Sequence, residues 1–438
     1  MAASDAVLYE KFIIESTDGK RTADIKEGVV FFSYFENIFS PHLTAKVQVS
    51  NTGGTIEGED GILTSLYNGL PLVGGERVII KVSGNSATNK GLKFDTPEKY
   101  FYVSSITNIL IDGEREAFTL NLVSREAITN ETVRVGRKFP SSQKISDSVE
   151  DILKKYIKTD KELNINETKN PYGFIGNLKK PFSIITWLAA KSVSSKKGSS
   201  TGFLFYETQF GYNFTSIDDL ISSEPYEIEY NYAPGVVNSR DPNKDFKIKE
   251  VTVGGKDLLE KLQRGGYASQ RFYINPVSFE VNKKTLFVGN DYVNNIPTLG
   301  QKIINTFKFD KRDKSITELP SRIFSAVLDI GTVEKNASLT GWNDASQRNA
   351  DPALIHSQAM VRYQQLKTEV LTMQIPVNMN LTAGSVVKCN FPRIDRQKRK
   401  EPDQNQSGLY MITKICHFFN KDESASQIEM VRDTKGRK

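Results

Sequence analysis

The sequence predicts an α+β protein that is mostly β and that contains two similar β-domains. Apolar and polar residues alternate, as in half-buried strands, through much of residues 1–125 and 370–433. Helical periodicity is concentrated between these regions. The segment NGLPLVGGERVIIKV at 68–82 has a counterpart, NMNLTAGSVVKCNFP, at 378–392. This likeness indicates an internal duplication.

Composition narrows the class of protein. The 438 residues exceed what a single core accommodates, so two or more domains are expected. The net charge of +6 is mild for this length, whereas nucleic-acid-binding modules concentrate basic charge far more strongly. Two cysteines exclude a disulfide framework and suit a reducing compartment. No secretion signal and no apolar run of about 18 residues is visible, so we expect a protein that folds in the cytoplasm.

The first elements follow from local pattern. Residues 1–125 are predicted to form mainly strands, namely KFIIES, AKVQVS, ERVIIKVSG, KYFYVSSITNIL and EAFTLNLVSRE. In residues 126–245, SQKISDSVEDILKKYIK has a helical apolar stripe, and KKPFSIITWLAAKS is predicted to be a helix with Pro181 in its first turn. GFLFYETQFGYNFTS is predicted to be a hairpin. We therefore expect an α+β lobe here.

Strands return in the second half of the chain. Residues 246–283 are predicted to form strands around one short helix, KDLLEKLQ. Residues 284–369 are less regular, but Asp351 and Pro352 begin a predicted helix that continues through ALIHSQAMVRYQQLK. From 370 to 433 the predicted strands are EVLTMQIPV, SVVKCNF, LYMITKICHFF and QIEMVRD.

The duplication extends over two strands and the long loop between them. With Gly75 aligned to Gly384, a constant offset of 309 positions places the apolar positions of the first copy on those of the second. Ile109 then aligns with Phe418, and one residue is lost in the next turn. Alternation is common to all β-meanders, but a shared register of this length is harder to obtain by chance. The predicted barrel core consists of Val78, Ile80, Val82, Val103, Ile106, Val387, Cys389, Phe391, Ile412 and Ile415.

Two similar β-domains in one chain suit a symmetric ring. Closure into a ring removes the exposed edges of sheets, which otherwise invite uncontrolled pairing. A trimer of a duplicated domain presents six similar walls around one axis. Such a ring can join a threefold object to a sixfold one.

Three features of the sequence resemble one protein family. They are the C-terminal pattern NLTAGSVVKCNFP, SGLYMITKICHFF and SQIEMVRD, the middle pair KPFSIITWLAAKS and GFLFYETQFGYNF, and the duplication itself. Over most of its length the chain resembles the central baseplate hub proteins of contractile-tailed, T-even-like bacteriophages and, more distantly, the hub domains of contractile injection systems. The longer middle segment and the basic end, DTKGRK, depart from the family pattern.

The resemblance implies a fold of two tube-type β-barrel domains with inserted α+β lobes. The second barrel would be discontinuous in sequence. The implied units are a first barrel at 1–125, peripheral α+β lobes at 126–245 with 284–369, a second barrel at 246–283 with 370–433, and a basic tail at 434–438.

The resemblance also implies a function. The protein would be a structural virion protein of the tail baseplate, assembled in the bacterial cytoplasm, whose homotrimers form a pseudo-sixfold ring. One face would bind the trimeric spike protein, and the other would receive the tail tube through tail-tube initiator proteins. Baseplate wedge proteins would bind around the ring, and genomic DNA would pass through its channel. No membrane insertion, cofactor or catalytic site is implied.

A search for catalytic and ligand-binding motifs gives no candidate. His42, His356 and His417 are not at metal-ligand spacing, and there is no CxxC or HxxxH pair. Cys389 lies in a predicted strand without a nearby partner, so we expect a small core residue rather than a nucleophile. VTVGGKDLLEK lacks the spaced glycines of a phosphate-binding loop. We therefore expect no catalytic, metal or cofactor site, and no enzyme.

One basic run, RIDRQKRKEPDQNQSG at 393–408, corresponds to the long loop of the first copy. A solvated loop is the preferred interpretation. The alternative is an electrostatic contact with an acidic protein face or with DNA phosphates. The basic residues concerned are Arg393, Arg396, Lys398, Arg399 and Lys400.

Two other functions stay open at this point. One is a nucleic-acid-binding protein built from small β-barrels, which the positive net charge and the basic loop favour. The other is an enzyme with a catalytic α+β lobe at 126–245. The absence of any histidine, cysteine or glycine constellation disfavours the enzyme.

Overall fold

The fold is taken from a computed structural model. The structure describes residues 7–51, 56–57, 61–70, 72–84, 89–112, 115–196, 201–232, 247–254, 257–275, 278–287, 296–301, 308, 315–332, 351–393, 401–421 and 423–437. Within these residues, no helix has the length and apolar character needed to cross a membrane.

The first β-domain is built from the N-terminal part of the chain. Its strands pair antiparallel, and their alternate side chains fill one apolar core that includes Phe12, Phe32, Val47 and Leu120. Its elements are β1 (Leu8–Glu15), β2 (Thr22–Asp24), a 3-10 turn (Lys26–Gly28), β3 (Val29–Asn37), β4 (Thr44–Asn51), β5 (Ile56–Glu57), β6 (Leu63–Thr64), α1 (Leu66–Gly69), β7 (Arg77–Ser83), β8 (Leu92–Phe94), β9 (Phe101–Asp112) and β10 (Arg115–Ser124). The main strand order is β2–β1–β7–β9–β10–β4–β3.

An α+β lobe follows. Its elements are α2 (Arg125–Thr132), β11 (Lys138–Phe139), α3 (Ile145–Ile152) with a π-helical extension (Leu153–Ile157), β12 (Glu162–Ile165), β13 (Phe174–Ile175), α4 (Pro181–Ala189), β14 (Phe203–Thr208), β15 (Gly211–Ser216) and α5 (Ile217–Ile221). The predicted helices are confirmed at α3 and α4, and the predicted hairpin is confirmed at β14 and β15. The apolar stripe of α3 faces a core shared with α4 and the hairpin.

The rest of the chain contains two separate sheets. Its elements are β16 (Glu229–Tyr232), β17 (Lys247–Ile248), β18 (Glu250–Val253), α6 (Leu258–Gln263), β19 (Ala268–Ile274), β20 (Val281–Phe287), a 3-10 turn (Ile316–Glu318), β21 (Arg322–Val327), α7 (Pro352–Leu366), β22 (Glu369–Pro376), β23 (Val386–Asn390), β24 (Gly408–Asn420) and β25 (Ser424–Arg432). The predicted start of α7 is confirmed, because the Asp351 side chain accepts a hydrogen bond from the Leu354 N–H at its N-terminus.

The second β-domain is a closed barrel. Its strands pair in the order β18–β22–β25–β24–β23–β16–β17. Only Lys249 separates β17 from β18, and its N–H donates to the Gln374 carbonyl at 2.9 Å, which closes the circle. Met373, Val387, Ile412 and Ile428 lie in its core.

The strand pairing differs from the predicted boundaries at two places. β16 lies in the stretch predicted as lobe, yet it pairs in parallel with β23 of the second barrel. Conversely, β19 and β20 were expected in that barrel, but they form a separate three-stranded sheet with β21. The physical reason is that alternation identifies a strand but not its partner. From 246–283, the barrel uses only β17 and β18 among the described strands.

The two β-domains repeat one strand order in one register. β4–β10–β9–β7 in the first domain corresponds to β22–β25–β24–β23 in the second. Leu120 lies opposite Ile106 as Ile428 lies opposite Ile415, and Val78 lies opposite Phe101 as Val387 lies opposite Tyr410. The fold therefore contains the internal duplication.

A β-bulge is repeated as well. Ser104 in β9 and Thr413 in β24 are extra residues in their ladders with β10 and β25. The Ser104 hydroxyl donates to the Asn121 carbonyl at 2.9 Å, and the Thr413 hydroxyl donates to the Glu429 carbonyl at 3.0 Å. In both copies, the extra residue of the bulge thus carries a hydroxyl group that donates a hydrogen bond to a backbone carbonyl of the neighbouring strand.

The copies differ at a second bulge, which only β9 carries. Asn108 has φ of 55°, and the ladder with β10 shifts between Thr107 and Leu110. Because Leu110 pairs with Ala117 as Phe418 pairs with Ala425, Leu110 is the structural counterpart of Phe418. The expected match of Ile109 to Phe418 is therefore wrong by one residue, since the extra residue lies in this bulge and not in the turn.

Candidate functional site

The residues predicted as barrel core are distributed over both β-domains. In the first domain, Ile106 is half-buried at the margin of the core. The other residues are buried: Val78, Ile80, Val82, Val103, Val387, Cys389, Phe391, Ile412 and Ile415. The two groups lie in separate cores, so they belong to two equivalent domains rather than to one site.

The predicted electrostatic loop is only partly described. Arg396, Lys398, Arg399 and Lys400 lie outside the described residues. Arg393 is exposed, and its backbone N–H donates to the Glu401 carbonyl at 3.0 Å.

The histidines and cysteines form no reactive constellation in the part of the chain that is described. Burial lowers the pKa of His356 and of His417 to about 4, so both rings are neutral at pH 7. The His417 Nδ1 lies 2.8 Å from the Ser426 hydroxyl. Burial raises the pKa of the Cys389 thiol to about 12, which disfavours a thiolate nucleophile. Among the described residues, no cluster of metal-ligating side chains is present.

The structural feature that stands out is the junction between the two β-domains. β24 pairs antiparallel with β3 from Lys414 opposite Asn37 to Asn420 opposite Phe31, so both domains share one continuous sheet. The rings of Phe32 and Phe419 stack across the junction with centroids 5.6 Å apart. Phe419 therefore contributes to the core of the first domain although it belongs to a strand of the second.

Glu36 of β3 accepts hydrogen bonds from all three parts of the chain that meet at this junction. Its carboxylate accepts hydrogen bonds from the Tyr34 hydroxyl at 2.6 Å, the Gln209 N–H at 2.8 Å and the Ala383 N–H at 2.8 Å. These donors come from the first domain, the lobe and the second domain. Burial outweighs the three donors and raises the pKa of Glu36 to about 7.

A second buried network connects the lobe to the first β-domain. Lys161 lies between two buried carboxylates, at 2.6 Å from Glu126 and 2.5 Å from Glu207. Glu207 also accepts hydrogen bonds from the Leu43 N–H at 3.0 Å and the Ser124 hydroxyl at 2.7 Å. Burial opposes the lysine charge, but the two carboxylates raise the pKa of Lys161 above its ordinary value. Lys161 therefore keeps its charge, and its partner Glu207 connects the lobe to the first β-domain.

A third network connects the lobe and α7 to the second β-domain. The buried Arg362 guanidinium lies 2.9 Å from Asp218 and 2.8 Å from Asp433, and it donates to the Pro297 carbonyl at 2.9 Å. Two carboxylates thus surround one guanidinium, which permits its burial.

Sequence reasoning missed these three networks, although a signal for them exists. Glu36 has the same strand phase as the buried Phe32 and Tyr34, and Glu207 follows the apolar run FLFY. A charged residue at a position of core phase indicates a buried polar contact, because an unpaired charge there would be too costly. The contacting partners, which are far away in the sequence, could not be predicted.

The face of the shared sheet that points away from both cores is mostly polar, although Phe31, Phe35 and Phe418 lie on it beside the β3–β24 junction. Alternation along each strand sets the composition of this face, and Lys414 forms an ion pair with Glu429 on it at 2.8 Å. Hydroxyl and amide groups dominate: the residues include Thr44, Lys46, Gln48, Asn121, Thr372, Gln374, Gln427 and Glu429.

This fold is similar to that of solved proteins, although its sequence matches none of the known families. No protein-family model matches the chain, and no curated protein matches its sequence. A 43 kDa tail protein of prophage MuSo2 from Shewanella oneidensis is similar in structure, with a TM-score of 0.52 and 11% identity over 97% of this chain and 98% of that one. A tail protein from Neisseria meningitidis MC58 is similar with a TM-score of 0.50 and 8% identity over 97% of both chains.

Over nearly the whole chain, the fold is therefore similar to that of these two tail proteins. It is an α+β fold, mostly β, with two similar β-barrel domains and inserted α+β lobes. Both compared proteins are described as tail proteins, and neither is described as an enzyme.

Proposed function

We propose that this chain is the homotrimeric hub of a contractile-tail baseplate, in which three copies form a pseudo-sixfold ring. The observation that carries the proposal is the junction of β3 and β24, which places two equivalent β-domains edge to edge within one chain. A contact that already joins two equivalent units is the repeating contact from which a ring is built.

The shared sheet supplies equal parts of a ring wall. The first domain contributes β3, β4, β10 and β9, and the second contributes β18, β22, β25 and β24. Three chains would provide six such four-stranded units around one axis. A closed wall leaves no sheet edge free for uncontrolled pairing.

The polar face of the sheet suits the inside of this ring. Hydroxyl and amide groups line it, and the charges of Lys414 and Glu429 neutralise one another. A wall of this composition keeps water in a channel without binding phosphates strongly, because strong binding requires clustered cations. This supports passage of genomic DNA and argues against retention of DNA.

The partners follow from the symmetry of such a ring. One threefold face would bind the trimeric spike, and the opposite face, sixfold in outline, would receive the tail tube through initiator proteins. The lobes would lie outside the wall, where wedge proteins bind. The protein would then be part of the virion tail and would have no catalytic role.

The solution mass of the purified chain tests this function. Light scattering is expected to give three times the 49.2 kDa of one chain, and negative-stain images of the same fraction are expected to show a ring with six similar lobes around a channel. If the chain alone is monomeric, co-expression with the neighbouring spike gene is expected to produce the ring. A chain that remains monomeric together with its spike contradicts the proposal.

A further inference from the structure

β9 has an open edge where its counterpart in the second domain is covered. Residues 105–112 of β9 pair with β10 on one side, and no described strand lies on the other. The corresponding part of β24 pairs with β25 on one side and with β3 on the other. The first domain therefore lacks a neighbour that the second domain has.

Side-chain exposure follows this difference. Leu110 is 69% exposed and Ile111 is 66% exposed. Their counterparts in the covered copy are Phe418, which is half-buried, and Phe419, which is fully buried. Adjacent apolar side chains on an unpaired strand edge are a surface that a soluble monomer normally avoids.

β18 presents the complementary edge. It pairs with β22 as β3 pairs with β4, and no other described strand lies beside it. Val251 lies opposite Met373 in the second domain as Phe32 lies opposite Val47 in the first, so Val251 is the counterpart of Phe32. By the same reasoning, Thr252 is the counterpart of Ser33.

We propose that the β9 edge of one chain pairs antiparallel with the β18 edge of a second copy of this chain, in the register of the β3–β24 junction. Phe419 lies opposite Phe32 within the chain, so Ile111 would lie opposite Val251 of the next copy. Phe418 lies opposite Ser33, so Leu110 would lie opposite Thr252. The inference rests on the proposed function, and it specifies the residues at which the ring closes.

The chemistry of the two edges fits this pairing. Val251 packs against the core of the second domain but is only partly buried there. Ile111 of the next copy would cover it, as Phe419 covers Phe32. Aliphatic side chains directly opposite one another on antiparallel strands stabilise the pair of strands.

A disulfide tests the register directly. The double variant Leu110→Cys, Thr252→Cys places thiols directly opposite across the proposed ladder, at a Cα separation of roughly 4.5–5.5 Å that permits a disulfide. Mild oxidation of the purified protein is expected to give covalent dimers and closed trimers on non-reducing gels. Wild-type protein, treated in parallel, controls for the native Cys416, which is half-buried.

The matched control shifts the register by two residues. In Leu110→Cys, Glu250→Cys the two thiols lie diagonally, at roughly 7–8 Å, beyond the usual reach of a disulfide. Cross-linking of this variant as strongly as of the first overturns the register. Cross-linking of Leu110→Cys alone into dimers overturns the pairing, because it means that β9 pairs with itself around a twofold axis.

Failure of this inference and failure of the proposed function give different results. A ring by negative stain, without any Leu110–Thr252 cross-link, overturns the edge assignment and leaves the hub function standing. Specific cross-links that grow into open ladders beyond trimers support the edge pairing and overturn the trimeric hub. Monomers that never cross-link, either alone or co-expressed with the spike, overturn both.

Discussion

Glu36 is a single side chain in contact with the first domain, the lobe and the second domain. Its pKa rises from an ordinary 4.5 to about 7 because it is buried. The folded state therefore binds this proton more tightly than the unfolded state does. Stability from this group is fully present below about pH 4.5 and is lost as the pH rises through 7.

Replacement of Glu36 by Gln is expected to remove this loss of stability. The pKa difference corresponds to about 3 kcal/mol between pH 4.5 and pH 8. Urea unfolding of wild type and of Glu36→Gln from pH 5 to pH 8 measures this contribution to the free energy of unfolding. Groups such as His417 titrate in both proteins, so their contribution cancels when one stability curve is subtracted from the other. Parallel curves over this range contradict the assignment.

Val387 tests the core of the second barrel at the same scale. Its side chain is fully buried, so Val387→Asp buries an unpaired charge and is expected to cost more than about 4 kcal/mol, enough to unfold that barrel. Cys389→Asp is expected to behave alike. Gln427→Asp, which places the same charge on an exposed position of the same barrel, is the control. Normal solubility and melting of Val387→Asp would refute the core assignment.

At the scale of elements, the duplication supplies matched glycines. Gly75 and Gly384 have φ of 94° and 92°, and their N–H groups donate to the equivalent carbonyls of Val103 and Ile412 at 2.7 and 2.8 Å. An alanine would be strained at both positions. At Gly384 the new methyl group would also collide with the Tyr206 hydroxyl, whereas at Gly75 the nearest atom, in Thr17, is 3.6 Å away.

Gly75→Ala is therefore expected to cost about 1–2 kcal/mol, the ordinary cost of a left-handed backbone, and Gly384→Ala is expected to cost more. Urea denaturation of both variants measures the difference. Tyr206→Phe in the Gly384→Ala background removes the colliding hydroxyl and is expected to recover part of the loss. Equal losses of stability in the two glycine variants would show that the contact of Tyr206, in the hairpin β14–β15, with position 384 adds nothing to the cost.

Some elements were predictable from the sequence, and their partners were not. The stripe of α3, Pro181 at the start of α4 and the Asp351–Pro352 start of α7 are local signals, and all three are confirmed. β16 was missed because it is short and pairs in parallel with a strand far away in the sequence. Glu36 shows the same limit at the site, since its strand phase signals burial but its donors Gln209 and Ala383 are distant in the chain.

At the scale of the whole molecule, Arg362 couples the lobe and α7 to the second barrel. Arg362→Met removes the guanidinium that lies between the buried Asp218 and Asp433, and it is expected to lower the free energy of unfolding by about 3–5 kcal/mol. The control Lys144→Met breaks the exposed pair with Glu167 and is expected to leave unfolding unchanged within error. Both are measured by urea denaturation. If Arg362→Met has the same free energy of unfolding as the control, the contacts of Arg362 with Asp218 and Asp433 do not stabilise the fold.

The order of synthesis gives the β3–β24 junction a further consequence. β3 is complete once Asn37 has been translated, but its partner strand begins its ladder only at Lys414. At roughly 5–20 residues per second, the nascent chain carries an uncovered β3 edge and an uncovered Phe32 for on the order of 20 to 80 seconds. Helper proteins at the ribosome have that interval in which to shield the edge. A premature stop before β24 never covers it, so such truncated chains would aggregate instead of accumulating as a soluble first domain.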